Sequence, residues 1–200
     1  MNGRERGAKC RGRLFVLAGP SGVGKGTLRA RVLSDIDNLV YSISCTTRAP
    51  REGEREGVDY RFISKEEFMN RERQNLFLEH AAVHGNFYGT LREDVEREME
   101  AGHDVLLEID VQGARQIREL LPESVLIFIA PPSAAVLEER LRRRRTESEE
   151  QIALRLENAK KEMEQSSDYS HVVLNDTLER ASEALRGIVL SYRNETDECQ

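Results

Sequence analysis

Two groups of residues in this 200-residue chain are of types and spacings that do chemistry. The first is Gly19-Pro20-Ser21-Gly22-Val23-Gly24-Lys25-Gly26-Thr27, which follows the apolar run Leu14–Ala18 and precedes a helical stripe of Leu28, Val32 and Leu33. A strand, a glycine-rich turn and a helix start together cradle phosphates, because backbone amides converge on the anion and the helix end adds partial positive charge. Lys25 then reaches the terminal phosphates of a nucleoside triphosphate. The spacing fits Gly-x-x-x-x-Gly-Lys, but the hydroxyl residue that usually follows the lysine is replaced by Gly26, with Thr27 one place later. A magnesium ion normally held by that hydroxyl is left to Thr27, to water or to substrate phosphates. The competing reading, a glycine-rich turn with a surface lysine, is disfavoured by the strand before and the helix after.

The second group lies between Ser44 and Thr90. Arg48 and Arg51 flank a proline that stiffens their turn, and paired guanidinium forks suit a phosphate monoester. Tyr60 and Tyr88 can each add a phenolic donor. The same arginines also read as a solvated basic loop paired with Glu52, Glu54 and Glu56, and the spacing alone leaves both readings open. Farther on, Glu79 stands among aromatics in Phe77–Thr90. A carboxylate only accepts hydrogen bonds, so it fits a base offering a ring N–H beside an exocyclic amino group, which is the guanine edge. Adenine presents an acceptor there and leaves the carboxylate unpaired. Ser44 and Thr90 are candidate hydroxyls completing base recognition.

These residues need elements to position them. Four short, continuous apolar runs (Leu14–Leu17, Val105–Leu107, Val125–Ile129 and Val172–Leu174) read as strands covered on both faces. Helical stripes lie between and after them. Val95 and Met99 follow Thr90–Glu93, Ile152, Leu156, Ala159 and Met163 follow Ser148–Gln151, and Leu178, Ala181, Leu185 and Ile188 follow Asp176. Ser or Thr three residues before Glu or Gln is the signature of a capping box. Strand–helix alternation predicts an α/β fold, a parallel sheet flanked by helices. Residues 42–90 break that rhythm and read as an inserted lobe, with a short helix capped by Ser64. The charge-dense stretch 140–150 reads as a second, lid-like insertion, and residues 1–11 as a loose tail. The core is then 12–41 and 91–200.

Composition narrows the classes. Thirty Lys+Arg against 36 Asp+Glu give a formal charge of −6, which disfavours a general binder of nucleic acid. Apolar runs are too short for a membrane span, and no secretory segment is evident. Cys10, Cys45 and Cys199 form no pair of metal-ligand or disulfide spacing, so a reducing, cytoplasmic setting is expected. His80 and His84 are four apart, but nearby Gly85 favours a loop over a metal-binding helix face. Cys45 reads as a small buried side chain beside the base-reading serine.

GPSGVGKGT, TTRAPREGE with its following DY, FLEHAAVHGNFYGT, LEIDVQGA, IFIAPPS and VVLND occur in that order, and together the chain resembles the guanylate kinase family from about Arg13 to Tyr192. The resemblance implies phosphoryl transfer from ATP to GMP or dGMP with Mg²⁺. It implies that Arg48, Arg51, Tyr60 and Tyr88 hold the GMP phosphate, and that Glu79, Ser44, Thr90 and Asp110 read guanine. It places Lys25, Arg140, Arg144 and Arg155 on the ATP phosphates and the transferring group, and Asn175 near the adenine ring. Metal donors stay open among Thr27, Glu108 and Asp110. Besides Gly26, the chain departs from the family's pattern at Glu108, where aspartate is usual, and at Arg145, where glycine is common. Adenylate kinases are similar in having Gly-Lys-Gly-Thr, so the displaced hydroxyl is tolerable.

Such a kinase closes its lobe and lid to align the two phosphates and exclude water. No obligatory protein partner is expected. The rival from another class is a non-catalytic interaction module of the same fold, against which the complete phosphate loop and the set Arg48, Arg51, Glu79 and Tyr88 argue. A kinase for a sugar phosphate would leave Glu79 and Thr90 with no base to read.

Overall fold

The protein is described by a computed structural model covering residues 10–83, 85–143 and 148–197. The elements run β1 (Leu14–Ala18), α1 (Lys25–Asp35), β2 (Leu39–Tyr41), β3 (Cys45–Thr46), β4 (Arg61–Phe62), α2 (Lys65–Arg73), β5 (Phe77–Val83), β6 (Asn86–Leu91), α3 (Arg92–Glu100), β7 (Asp104–Glu108), α4 (Val111–Leu120), β8 (Val125–Ala130), α5 (Ala134–Arg143), α6 (Glu149–Glu164), β9 (His171–Leu174) and α7 (Leu178–Asp197), with a single 3-10 turn before β9.

The main sheet has five strands in the order β2-β7-β1-β8-β9, and every neighbouring pair is parallel. Strands β7, β1 and β8 are apolar on both faces because both are covered there, whereas in the edge strand β9 Val172 and Leu174 are 55% and 50% exposed, contrary to the expected cover on both faces. Alternation along β1 sends Phe15 and Leu17 into one buried cluster with Leu28 and Val32 of α1, Leu137 of α5, Ile152 of α6 and Leu185 of α7. Leu14 and Val16 enter the other, with Val95 and Met99 of α3 and Ile117 of α4. The four expected runs are all strands of this sheet. Its fifth, β2, is only three residues long and half exposed at the sheet edge, so it carries too little apolar pattern to be read in advance.

A second sheet, β4-β3-β6-β5, is built within the 42–90 stretch and reaches Leu91. Its strands are short or alternate in burial, which is why no continuous run marked them. Behind it Phe68 stacks on Phe77 at 4.5 Å between ring centroids, and Cys45 is fully buried beside them.

Capping holds at two of three places. Ser64 caps α2, and Ser148 with Gln151 forms a complete capping box on α6. Thr90 does not cap α3: it lies in β6, Leu91 precedes the helix, and the Thr90 hydroxyl is used elsewhere. Within the stretch 140–150, expected as a lid-like insertion, α5 continues through Arg143 and α6 starts at Glu149. Arg144 and Arg145 lie outside the described residues, as do His84 and residues 1–9.

Candidate active site

The carboxyl ends of β1 and β7 and the facing second sheet bound a cleft of about 670 Å³. Ligand sites in parallel α/β sheets form at such strand ends. At one end Gly19, Pro20, Ser21, Gly22, Gly24, Lys25 and Gly26 line it; at the other, Ser44, Arg48, Arg51, Tyr60, Glu79 and Tyr88. Glu108, Asp110 and Arg155 also face it.

The phosphate loop is braced by Lys25 from within and by Arg140, Arg155 and Asn175 from outside it. Gly24 precedes α1 with φ of 101°, and a Cβ there would stand 2.7 Å from Asn175 Nδ2. Lys25 Nζ donates to the carbonyl oxygens of Gly19 at 2.6 Å and Pro20 at 3.3 Å, and Arg155 donates to Ser21 Oγ at 2.6 Å. Arg140 donates to the carbonyls of Val23 and Asn175 at 3.0 and 2.9 Å. Three cations therefore donate to oxygens around one loop.

Five expected residues do not line the cleft: Val23, Thr27, Thr90, Arg140 and Asn175. Val23 is buried under the loop and Thr27 is exposed on α1. Asn175 is buried and spends its amide on the Val23 carbonyl at 2.6 Å, so it braces the loop where an adenine contact was expected. Arg140 braces the same segment from α5. Thr90 sits one shell behind the cleft wall, on Glu79.

At the opposite end Glu79 is 3% exposed. The Thr90 hydroxyl donates to Glu79 Oε1 at 2.6 Å, and Ser44 Oγ lies 3.1 Å from Thr90 Oγ1. Burial pushes the Glu79 carboxyl up to about 7, a rise the Thr90 bond opposes and the nearby Asp110 charge reinforces. Helix α4 packs so closely that a Cβ on Gly113 would overlap Glu79 Oε2. Asp110 caps that helix, accepting from the Gly113 amide at 2.9 Å, and its other oxygen accepts from Gln112 at 3.0 Å.

Arg48 combines both sequence readings. It lines the cleft and donates through Nε to the Tyr88 hydroxyl at 3.2 Å, yet its Nη2 is held by Glu54 at 2.8 and 2.9 Å. Tyr60 packs edge-on to Tyr88 at 5.9 Å, and the Arg48 guanidinium lies 5.5 Å from the Tyr60 ring. Burial, reinforced by Glu108 and Tyr88, pushes the Tyr60 phenol up to about 12, so it is a neutral donor near pH 7.

A divalent cation has few protein donors here. Among the described residues no three His, Cys, Asp or Glu side chains cluster as metal ligands. Glu108 is the best placed of the three candidates. Its carboxylate oxygens stand 3.6 and 3.7 Å from where a Cβ of Gly26 would be, and Oε2 is buried with no hydrogen-bond donor. Oε2 does lie 3.2 Å from Arg29 Nη1, close enough for an ion pair but without hydrogen-bond alignment. One carboxylate beside a phosphate site fits a magnesium ion that keeps its waters and takes most ligands from substrate.

One face of α6 was missed. Gln151, Arg155, Asn158 and Glu162 recur at helical spacing and line the cleft with Lys161. Only Arg155 was singled out in sequence, since the others match the polar face any surface helix carries. Burial pushes the Glu162 carboxyl up, against the pull of Lys25 and with a smaller push from Asp110.

Comparison with known proteins agrees with this geometry. A family model described as guanylate kinase matches residues 11–192. The guanylate kinase of Neisseria meningitidis is 52% identical over 183 residues, covering 92% of this chain and 89% of that protein. That of Thermotoga maritima is 48% identical, covering 92% and 88%. The crystal structure of guanylate kinase from Anaplasma phagocytophilum superposes with a TM-score of 0.78 at 34% identity, covering 92% of this chain and 87% of that one. This chain belongs to the guanylate kinase family.

Proposed function

We propose that the cleft binds ATP on the Gly19–Lys25 loop and GMP against the 42–90 lobe, and transfers the γ-phosphoryl group to give ADP and GDP. The observation that carries the assignment is Glu79, a buried carboxylate facing the cleft at the end away from Lys25. It accepts the guanine ring N–H and amino group, while Ser44 and Thr90 extend the hydroxyl chain behind it. Arg48, Arg51, Tyr60 and Tyr88 take the monophosphate, whose own negative charge makes a general base unnecessary. Lys25 and Arg155 leave their neutral oxygens for phosphate oxygens and offset charge in the transition state. Arg140 and Asn175 keep the loop in shape for that exchange. Arg144, by the family resemblance, joins Lys25 and Arg155 on the transferring group.

Glu108, ahead of Asp110 and Thr27, is the side chain that would hold magnesium or its waters. Such an ion would supply charge neutralisation for the phosphates. Closure of lobe and lid aligns the acceptor oxygen with the γ-phosphorus and keeps water out. The product supplies GTP precursor in the cytoplasm. A coupled assay with ATP and a panel of GMP, dGMP, AMP and a sugar phosphate tests the reading. GDP formation with strong preference over AMP is expected; equal use of AMP contradicts the Glu79 role.

A further inference from the structure

One cation near the cleft has no assigned work. Arg29 lies one helical turn after Lys25 on α1 and does not line the cleft. It is largely buried, with a side chain 15% exposed, and it faces three elements at once. Its guanidinium carbon lies 4.1 Å from the Tyr41 ring centroid at the end of β2. Nη1 stands 3.2 Å from Glu108 Oε2 at the end of β7, and Nη2 stands 3.8 Å from Asp59 Oδ1 in the inserted lobe. Asp59 is the residue just before Tyr60.

Asp59 also organises its own turn. Its Oδ2 accepts from the Arg55 amide at 2.9 Å, while the Asp59 and Val58 amides donate to the Arg55 carbonyl at 3.1 and 3.2 Å. Gly57 donates to the Tyr60 carbonyl at 2.9 Å. The 55–60 turn is thus internally braced, and Tyr60 leaves it toward Arg48 and Tyr88. A braced turn moves as a unit, so whatever holds Asp59 to the core also sets where the Tyr60 hydroxyl stands.

We propose that Arg29 is a positioning residue: through Asp59 it fixes the 55–60 turn of the lobe against the core and so sets the Tyr60 donor for the mononucleotide phosphate. This rests on the reading that the lobe takes GMP. Because Arg29 also holds Glu108 and rides on the helix that begins with Lys25, one side chain ties the acceptor side to the donor side. An arginine suits the position: its planar face stacks on Tyr41 while separate nitrogens serve the two carboxylates.

Steady-state kinetics with ATP and GMP varied separately test it. Asp59→Asn leaves the buried Arg29–Glu108 pair intact and is expected to raise the KM for GMP about fivefold, with the KM for ATP within about twofold. Arg29→Met is expected to raise the GMP value about tenfold, Arg29→Lys less, and Asp59→Asn added to Arg29→Met no further, since both remove one contact. A GMP KM unchanged in Asp59→Asn, or effects of the two substitutions that simply multiply, overturns the inference. If Arg29→Met does not fold, the Asp59→Asn result decides alone. Wild-type protein that makes no GDP overturns the reading of the cleft itself, a result distinct from normal wild-type turnover with an indifferent Asp59→Asn.

Discussion

The two ends of the cleft store charge in opposite ways. At the phosphate loop, Lys25, Arg140 and Arg155 donate to carbonyl and hydroxyl oxygens, and the Glu162 carboxylate lies near enough to Lys25 to feel its charge, so positive charge is gathered along the loop. At the far end Glu79 is buried and accepts from the Thr90 hydroxyl and backbone amide, yet burial still disfavours its ionised form. Each end is complementary to a ligand of the other sign: phosphate oxygens at one, guanine N–H groups at the other. The two ends also come from different sheets, since the loop follows the central strand of the parallel sheet and Glu79 lies in an antiparallel pair of the second. The first end can exchange one set of oxygens for another at little cost. The second must ionise to work.

The sharpest way to break this contrast is to remove the loop's cation. Lys25→Ala is expected to lower kcat by about a thousandfold or more in the coupled assay, as for loss of a transition-state donor. Its melting temperature should change little, because the lost bonds run to backbone oxygens of a partly exposed loop.

Glu79→Gln comes next and separates function from stability. Turnover of GMP, as kcat/KM, is expected to fall about a hundredfold or more, because an amide cannot accept from both guanine N–H groups without presenting a donor. Stability should move the other way. The folded carboxyl titrates near 7 and the unfolded one near 4.5, so the folded state binds more protons between those values and wild-type stability falls as pH rises through that window. The variant lacks this loss. Its advantage in thermal or urea unfolding should be absent at pH 4 and grow to about 3 kcal/mol at most by pH 8. A melting temperature equal to wild type at pH 8 would mean that Glu79 is not ionising in apolar surroundings.

Gly113→Ala tests the wall behind that carboxylate. Ala is the better helix former, yet its Cβ collides with Glu79 Oε2, so the KM for GMP is expected to rise about tenfold while that for ATP holds. Shortening the carboxylate in Glu79→Asp/Gly113→Ala should relieve the clash, and a double variant worse than the product of the singles argues against contact as the cause. The smallest effect is expected far from both ends. Ser148→Ala removes the α6 cap at an exposed site and should cost about 1 kcal/mol in urea unfolding.

The parallel sheet was legible because strands buried on both faces must be continuous apolar runs, as β1, β7 and β8 are, and because β9 keeps an apolar run although Val172 and Leu174 are exposed at the sheet edge. The phosphate loop was legible because its geometry demands glycine and lysine at fixed spacing. Residues whose work is to brace the site were not. Asn175 and Arg140 were singled out through a resemblance that placed them near the nucleotide, and their further bonds to the backbone around Val23 left no sign in the sequence. Thr90 combined a capping pattern with a base-reading role, and its β6 hydroxyl serves Glu79. Arg29 and the cleft-facing Asn158, Lys161 and Glu162 of α6 left no mark, since polar residues at helical spacing look the same whether they meet solvent, a cleft or an inserted lobe. What the sequence could not carry is long-range pairing: Arg29 with Asp59, and Gly113 with Glu79, meet only after folding.

Calorimetric proton release on GMP binding, measured at pH 6.5 in buffers of different ionisation enthalpy, tests the guanine end most directly. With a carboxyl titrating near 7, wild-type protein should release roughly three-quarters of a proton more than Glu79→Gln, because guanine binds only the ionised form. The GMP phosphate contributes equally to both proteins and cancels. Equal proton release from the two, with GMP bound by both, would contradict a buried carboxylate as the reader of the base.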